Sequence, residues 1–155
     1  MITYTNDLSG VKAETFVGFF EGWVQKPTPE QHLEILRHSA FCWLAFAGTR
    51  CVGFINAISD GFFYAAIPLL EVVPEYRGKG IGAELIRRMR QTLKDFYAVD
   101  LICDEDMADF YEKAGFSRAV GMIWRNYRFS GGVPLPPGYV SEASGGQGLE
   151  FKQEK

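Results

Sequence analysis

Leu70-Glu71-Val72-Val73-Pro74-Glu75-Tyr76-Arg77-Gly78-Lys79-Gly80-Ile81-Gly82-Ala83 decides how the rest of the chain is read. It opens as the end of an apolar run, Phe62 to Val73, with the composition of a strand. Pro74 lacks the N–H that a sheet ladder needs, and the strand stops there. Beyond the glycines, Ile81, Leu85, Ile86, Met89, Leu93 and Phe96 recur at spacings of three and four. That periodicity predicts an amphipathic helix, with Arg87, Arg88, Arg90 and Lys94 on a solvated face. The first turn of a helix carries N–H groups with no intrahelical acceptor, at the positive end of its dipole. Glycine at that point lets an anion approach, because no Cβ intrudes. The stretch therefore predicts a strand–loop–helix junction that holds a phosphate or pyrophosphate, with Arg77 and Lys79 adding charge.

Upstream, the runs Phe41–Ala47 and Cys51–Ile58 are separated by the turn Gly48-Thr49-Arg50, and Ser59-Asp60-Gly61 leads into Phe62. Asp-Gly between apolar runs is a strong hairpin signal. Three strands in a row make an antiparallel meander. Before them, Thr28 is placed to cap a helix with Pro29 in its first position and Gln31 completing a capping box. Val11, Phe16, Val17, Phe19 and Phe20 predict a still earlier helix, capped by Asp7 or Ser9 and ended by Gly22. Downstream, Val99–Cys103 reads as a short buried strand, Met107–Lys113 as a helix closed by Gly115, and Ala119–Tyr127 as a last strand.

The chain has 155 residues, which suits one domain, 1–129, followed by a Gly/Pro/Ser-rich tail, 130–155. A net charge of −3 offers no basic surface for a nucleic-acid backbone. The chain shows neither a run of 18 apolar residues nor an apolar leader, so the expectation is a cytoplasmic protein without a membrane partner. Cys42, Cys51 and Cys103 lie in apolar runs, and His32 and His38 do not cluster with them. They read as buried thiols, with no metal site.

Gly78-x-Gly80-x-x-Ala83, with Asp104 about 20 residues on, also satisfies the dinucleotide fingerprint. A dinucleotide domain needs repeated βαβ units and a turn directly after its strand. Here a meander precedes the motif and Pro74, Glu75 and Tyr76 intervene. The Walker pattern lacks its Lys-Ser/Thr ending.

The stretch from Leu70 to Gly82 resembles the acetyl-coenzyme A motif of the GNAT N-acetyltransferase superfamily, Gln/Arg-x-x-Gly-x-Gly/Ala, here Arg77, Gly80 and Gly82. Phe110-Tyr111-Glu112-Lys113-Ala114-Gly115-Phe116 resembles a second family signature. Two positions depart from it, Asp104 where the family has Asn and Met107 where it has Ala. The resemblance implies an α/β (α+β) domain, with a mixed, mostly antiparallel twisted sheet, a splayed parallel strand pair and flanking helices. It implies acetyl-coenzyme A held by Leu70, Val72, Arg77, Gly78, Lys79, Gly80, Ile81, Gly82, Ala83, Asp104, Phe110 and Lys113. It further implies Tyr111 as proton donor to the coenzyme A thiolate, and a backbone N–H near Val72 facing the thioester oxygen. Glu71 is the candidate base, because apolar neighbours would raise its proton affinity. Asp60 reads as a turn residue.

The implied acceptor is a small primary amine. Its pocket would be built from Phe20, Trp23 and Phe62, with Phe19, Phe63 and Trp124 nearby. Ile58-Ser59-Asp60-Gly61-Phe62 and Gly22-Trp23 are similar to a subgroup that includes plant and cyanobacterial arylalkylamine (serotonin) acetyltransferases. A protein N-terminus or lysine is the alternative acceptor, and an acyl-coenzyme A sensor without turnover the alternative class. The family is often dimeric, which makes a homodimer a possible assembly.

Overall fold

The computed structural model describes residues 1–126 except Val24, together with Phe129, Gly132 and Pro134. The expected tail, 130–155, lies almost wholly outside the described residues. Five strands form one sheet in chain order: β1 (Ile2–Thr5), β2 (Phe41–Ala47), β3 (Arg50–Ser59), β4 (Tyr64–Val72) and β5 (Ala98–Asp100). The first four are antiparallel neighbours, and β5 runs parallel to β4. Helices α1 (Pro29–Arg37), α2 (Ile81–Thr92) and α3 (Ala108–Lys113) complete the domain. The antiparallel strands are those the meander predicts, and the mixed sheet with flanking helices is the one the family resemblance implies.

Helix α1 starts as the sequence requires. The Gln31 N–H donates to the Thr28 hydroxyl and the Thr28 N–H donates to the Gln31 side chain, so two otherwise unpaired donors are satisfied. Helix α2 lays Ile81, Leu85, Ile86 and Met89 on one face of the sheet, all buried. The approach is close at Gly53 of β3, where a Cβ would meet Ile81 and Leu85 side chains at 3.2 Å. The opposite sheet face is covered by α1 and by an aromatic group of Phe16, Phe19, Phe20 and Phe54 around His32.

The structure departs from expectation in four places. No α-helix forms over Val11–Phe20; a 3-10 turn at Ala13–Thr15 is all the helical structure there. Gly18 and Gly22 have φ of 88° and 84°, outside helical space, and Phe16, Phe19 and Phe20 are buried from a loop instead. Residues 119–126 contain no strand, and Val120, Met122 and Trp124 are exposed. Cys103 lies beyond the end of β5 and is exposed, whereas Cys42 and Cys51 are buried. The cationic face of α2 is not only solvated. Arg88 lies over the Tyr4 and Trp43 rings, and Arg90 donates to the Ala114 carbonyl at the end of α3.

Candidate active site

Strands β4 and β5 pair only over Tyr64–Ala66 and Ala98–Asp100 and then part. Pro68 on β4 has no N–H to offer a neighbour, which fits a strand edge left open. The gap widens into a cleft of about 830 Å³, lined by Ile67 and Pro68 on one side, Leu101 and Asp104 on the other, and Tyr111 from α3. Further along the same edge of β4 come Leu70 and Val72. The Val73 N–H donates to the Val52 carbonyl at 3.0 Å, so antiparallel alternation turns the N–H and C=O of Val72 away from β3, to the open edge. Arg77 reaches that edge, its Nε donating to the Val72 carbonyl at 2.9 Å.

The glycine loop follows directly. Gly80 is the N-cap of α2 and sits in the left-handed region at φ 80° with no side chain to cap the helix. A Cβ at Gly78 or Gly80 would meet nothing within 4 Å, so the space before the helix is open. The N–H groups of Ile81, Gly82 and Ala83 have no intrahelical acceptor and point into it. Lys79 is tethered beside them. Its Nζ donates to the Glu75 carbonyl at 2.9 Å and lies 4.7 Å from the Tyr76 ring centre. These features suit a pyrophosphate: a concave patch of N–H donors, a helix dipole and two fixed cations. Asp104 contributes its carbonyl to the Met107 N–H, and its side chain makes no capping bond.

The two sequence motifs meet in space. The Phe110 ring lies against Gly82, where a Cβ would stand 3.6 Å from Cζ. Tyr111, the next residue, packs edge-on between Phe110 and Phe116. Burial, with a smaller contribution from nearby Cys103, pushes its hydroxyl up to about 12. The phenol therefore holds its proton throughout the neutral range. Lys113 ends α3 as an exposed cation.

On the other face of β4 stands Glu71. Its two carboxylate oxygens lie 2.9 and 3.1 Å from the Phe20 N–H, which donates to them. Burial raises the Glu71 carboxyl above the ordinary glutamate range, opposed by that N–H and by Arg77. Phe20 holds φ at 58°, a conformation that costs a residue with a Cβ roughly 1–2 kcal/mol. Its ring stands edge-on to Trp23 at 5.2 Å and to His32 at 4.9 Å. Glu71, Phe20 and Trp23 thus form one group.

Phe62 does not join them. It is exposed at the tip of the β3–β4 hairpin, at the far end of β4 from Glu71, a separation of roughly 20 Å or more along the strand. Phe63 stacks on Tyr97 instead. Phe19 and Phe20 are both core, Phe20 only 2% exposed, so of the Phe20–Trp23 pair Trp23 alone offers a surface, and Trp124 lines the cleft with Tyr111. Asp60 is the turn residue expected, accepting from the N–H groups of Phe62, Phe63 and Tyr64.

Sequence reasoning missed two residues. His32 is buried with Nε2 unpartnered, and burial lowers its imidazole to about 4. Its i, i+1, i+4 placement with Leu33 and Leu36 on the buried face of α1 was the available signal. Arg50 pairs with Glu75 at 2.8 Å and reaches the Val17 carbonyl at 3.4 Å, linking the glycine loop to the Phe20 loop. Nothing in its local sequence marks it.

Comparison with known proteins agrees with this geometry. Residues 9–116 match the Acetyltransferase (GNAT) family model. The fold superposes on a putative acetyltransferase from Deinococcus radiodurans R1 with a TM-score of 0.82 and 44% identity, covering 86% of this chain and 94% of that one. An uncharacterized N-acetyltransferase, ycf52, of Porphyra purpurea is 31% identical over 115 residues, covering 66% of this chain. The chain spans 64% of that relative's length. A chloroplastic GCN5-related N-acetyltransferase 2 of Arabidopsis thaliana is 33% identical over 81 residues, which are 48% of this chain and 31% of that protein. With its family match over residues 9–116 and its splayed β4–β5 pair leading to a glycine-capped α2, the chain belongs to the GNAT acetyltransferase family.

Proposed function

We propose that the chain is an N-acetyltransferase that moves an acetyl group from acetyl-coenzyme A directly to a primary amine. The observation that carries this reading is the arrangement on one strand. The open edge of β4 runs from the Tyr111-lined cleft to the uncapped glycine end of α2, and its other face carries Glu71. Acetyl-coenzyme A would supply an activated acyl group as its thioester. The N–H groups of residues 81–83 would hold the pyrophosphate, with Arg77 and Lys79 beside them. The Val72 N–H on the open edge is a donor for the carbonyl oxygen, where negative charge grows during attack.

The acceptor must arrive as a neutral amine. Glu71, with its raised proton affinity, is the proposed base, directly or through water. As the C–N bond forms and the C–S bond breaks, the sulfur takes a proton from Tyr111, and solvent restores the phenol. Trp23, exposed and seated on the buried Phe20 ring in the group around Glu71, favours an amine with an apolar or aromatic body, so a small arylalkylamine is the first acceptor to test. Among the described residues no helix is long and apolar enough to cross a membrane. The cytoplasm is the proposed compartment, against a relative described as chloroplastic. A homodimer is the proposed assembly, testable by light scattering with and without residues 130–155.

Calorimetric titration with acetyl-coenzyme A and, separately, with NADH tests the donor. Binding of acetyl-coenzyme A and none of NADH is expected. Binding of NADH alone would restore the dinucleotide reading of Gly78-x-Gly80-x-x-Ala83 and overturn this one.

A further inference from the structure

We propose that Glu71 is a positioning residue as well as a base: its carboxylate holds the Phe20 turn, and that turn, through the buried Phe20 ring, sets the exposed Trp23 as one wall of the acceptor side. The inference rests on the acceptor reading above and adds a role which that reading does not require. A carboxylate that served only as a base would need no backbone partner, and one that shares a single N–H keeps lone pairs for a proton. Here both oxygens lie within 3.1 Å of a single backbone N–H, from a residue 51 positions away in sequence.

The residue so held is the one described non-glycine with a positive φ. It lies midway between Gly18 and Gly22, also at positive φ, so the segment reverses direction with few backbone bonds of its own. Within it, the Trp23 N–H donates to the Phe20 carbonyl at 3.2 Å. The Phe20 turn therefore places Trp23 directly. Besides the ring contacts with Phe54, two hydrogen bonds among the described residues tie the loop to the sheet: Arg50 Nη2 donates to the Val17 carbonyl at 3.4 Å, and the Phe20 N–H donates to the Glu71 carboxylate. Both are charge-assisted; the second is the shorter, and it lies on the strand whose free edge is proposed to face the thioester. The wall and the reacting centre are thus fixed to one rigid element, as a positioned acceptor requires.

The test compares Glu71→Gln, which keeps an acceptor oxygen but cannot act as a base, with Glu71→Ala, which keeps neither. The Phe20 amide is followed by hydrogen exchange in 15N-labelled protein, and kcat and KM are measured with 2-phenylethylamine as the acceptor. Glu71→Gln should keep the Phe20 amide protected and the amine KM within about twofold of the native value, while kcat falls. Glu71→Ala should expose the amide and raise the amine KM roughly tenfold, the size expected for loss of a charge-assisted bond. Equal protection of the Phe20 amide in all three proteins, or equal KM values in the two variants, would overturn the positioning role. An undiminished kcat in Glu71→Gln would remove the base role and leave positioning standing. If Glu71→Ala fails to fold, Glu71→Leu takes its place, since it keeps the buried volume and offers no acceptor oxygen, and the same exposure of the amide and rise in KM are expected of it.

Discussion

The glycine loop and the Phe16–Trp23 loop both keep residues in the left-handed backbone region, by opposite means. Gly78 and Gly80 reach φ of 71° and 80° with no Cβ to strain and open space in front of them. Phe20 reaches 58° with a Cβ and a buried ring, and needs a carboxylate and three aromatic neighbours to stay there. The first loop is specified by its own residues. The second is specified by Glu71, His32 and Phe54, which are distant in sequence. The donor side should therefore tolerate damage elsewhere, whereas changes in the core behind the acceptor loop should be felt at the loop.

The largest expected effect is chemical. Tyr111→Phe keeps the ring between Phe110 and Phe116 and removes the hydroxyl, so kcat should fall roughly 10²–10⁴-fold, the range for a lost general acid. Affinity for acetyl-coenzyme A, measured by calorimetry, should stay within about twofold, since general-acid catalysis is a transition-state effect. Because burial pushes the phenol up to about 12, no alkaline loss of rate belonging to Tyr111 should appear near pH 10.

The next test falls on the acceptor side. The His32 imidazole titrates at about 4 in the fold, against about 6.5 in an unfolded chain. As pH falls through 6.5, the unfolded state takes up a proton that the buried ring refuses until about pH 4. Unfolding free energy should then drop by about 3 kcal/mol across that window. Urea denaturation of the native protein and His32→Leu at pH 6.5 and 4.5 should show a steeper loss in the native protein.

On the donor side, Gly80→Asp puts a carboxylate where the pyrophosphate is proposed to sit. Two like charges about 5 Å apart near a surface repel by about 3 kcal/mol, so affinity for acetyl-coenzyme A should fall roughly 100-fold. The thermal midpoint should fall by only a few degrees, because Asp carries a Cβ into the left-handed region at φ 80° at a cost of about 1 kcal/mol. The smallest effect is Thr28→Ala, which removes the capping box of α1 and should cost about 1 kcal/mol in urea denaturation without changing the coenzyme A affinity.

The same comparison explains what could be read from the chain. The limits of β2, the start of α2 and the capping box of α1 follow from residues adjacent in sequence, and the structure has them where the pattern puts them. Phe16, Phe19 and Phe20 also show a helix-like spacing. Their burial comes from a loop packed on His32, and no local pattern separates that from a helix face. Ala119–Trp124 is apolar enough for a strand and stays exposed and unpaired, because strand formation needs a neighbour that composition does not supply. Aromatic character and the subgroup resemblance both group Phe62 with Phe20 and Trp23. The length of β4 puts it at the other end of the sheet. Glu71 was legible as a strand carboxylate among apolar residues, and its hold on Phe20 was not, since the partner lies 51 residues away.

Free-thiol release measures the proposed acetyl transfer from coenzyme A to a primary amine most directly. The protein is mixed with acetyl-coenzyme A and a panel of arylalkylamines, alkylamines and lysine or N-terminal peptides, and the acetylated product is identified by mass. Thiol release should depend on the amine, match the acetyl-amide formed mole for mole, be fastest with an arylalkylamine and be nearly lost in Tyr111→Phe. Tight binding of acetyl-coenzyme A with thiol release no faster than in the absence of any amine would contradict it.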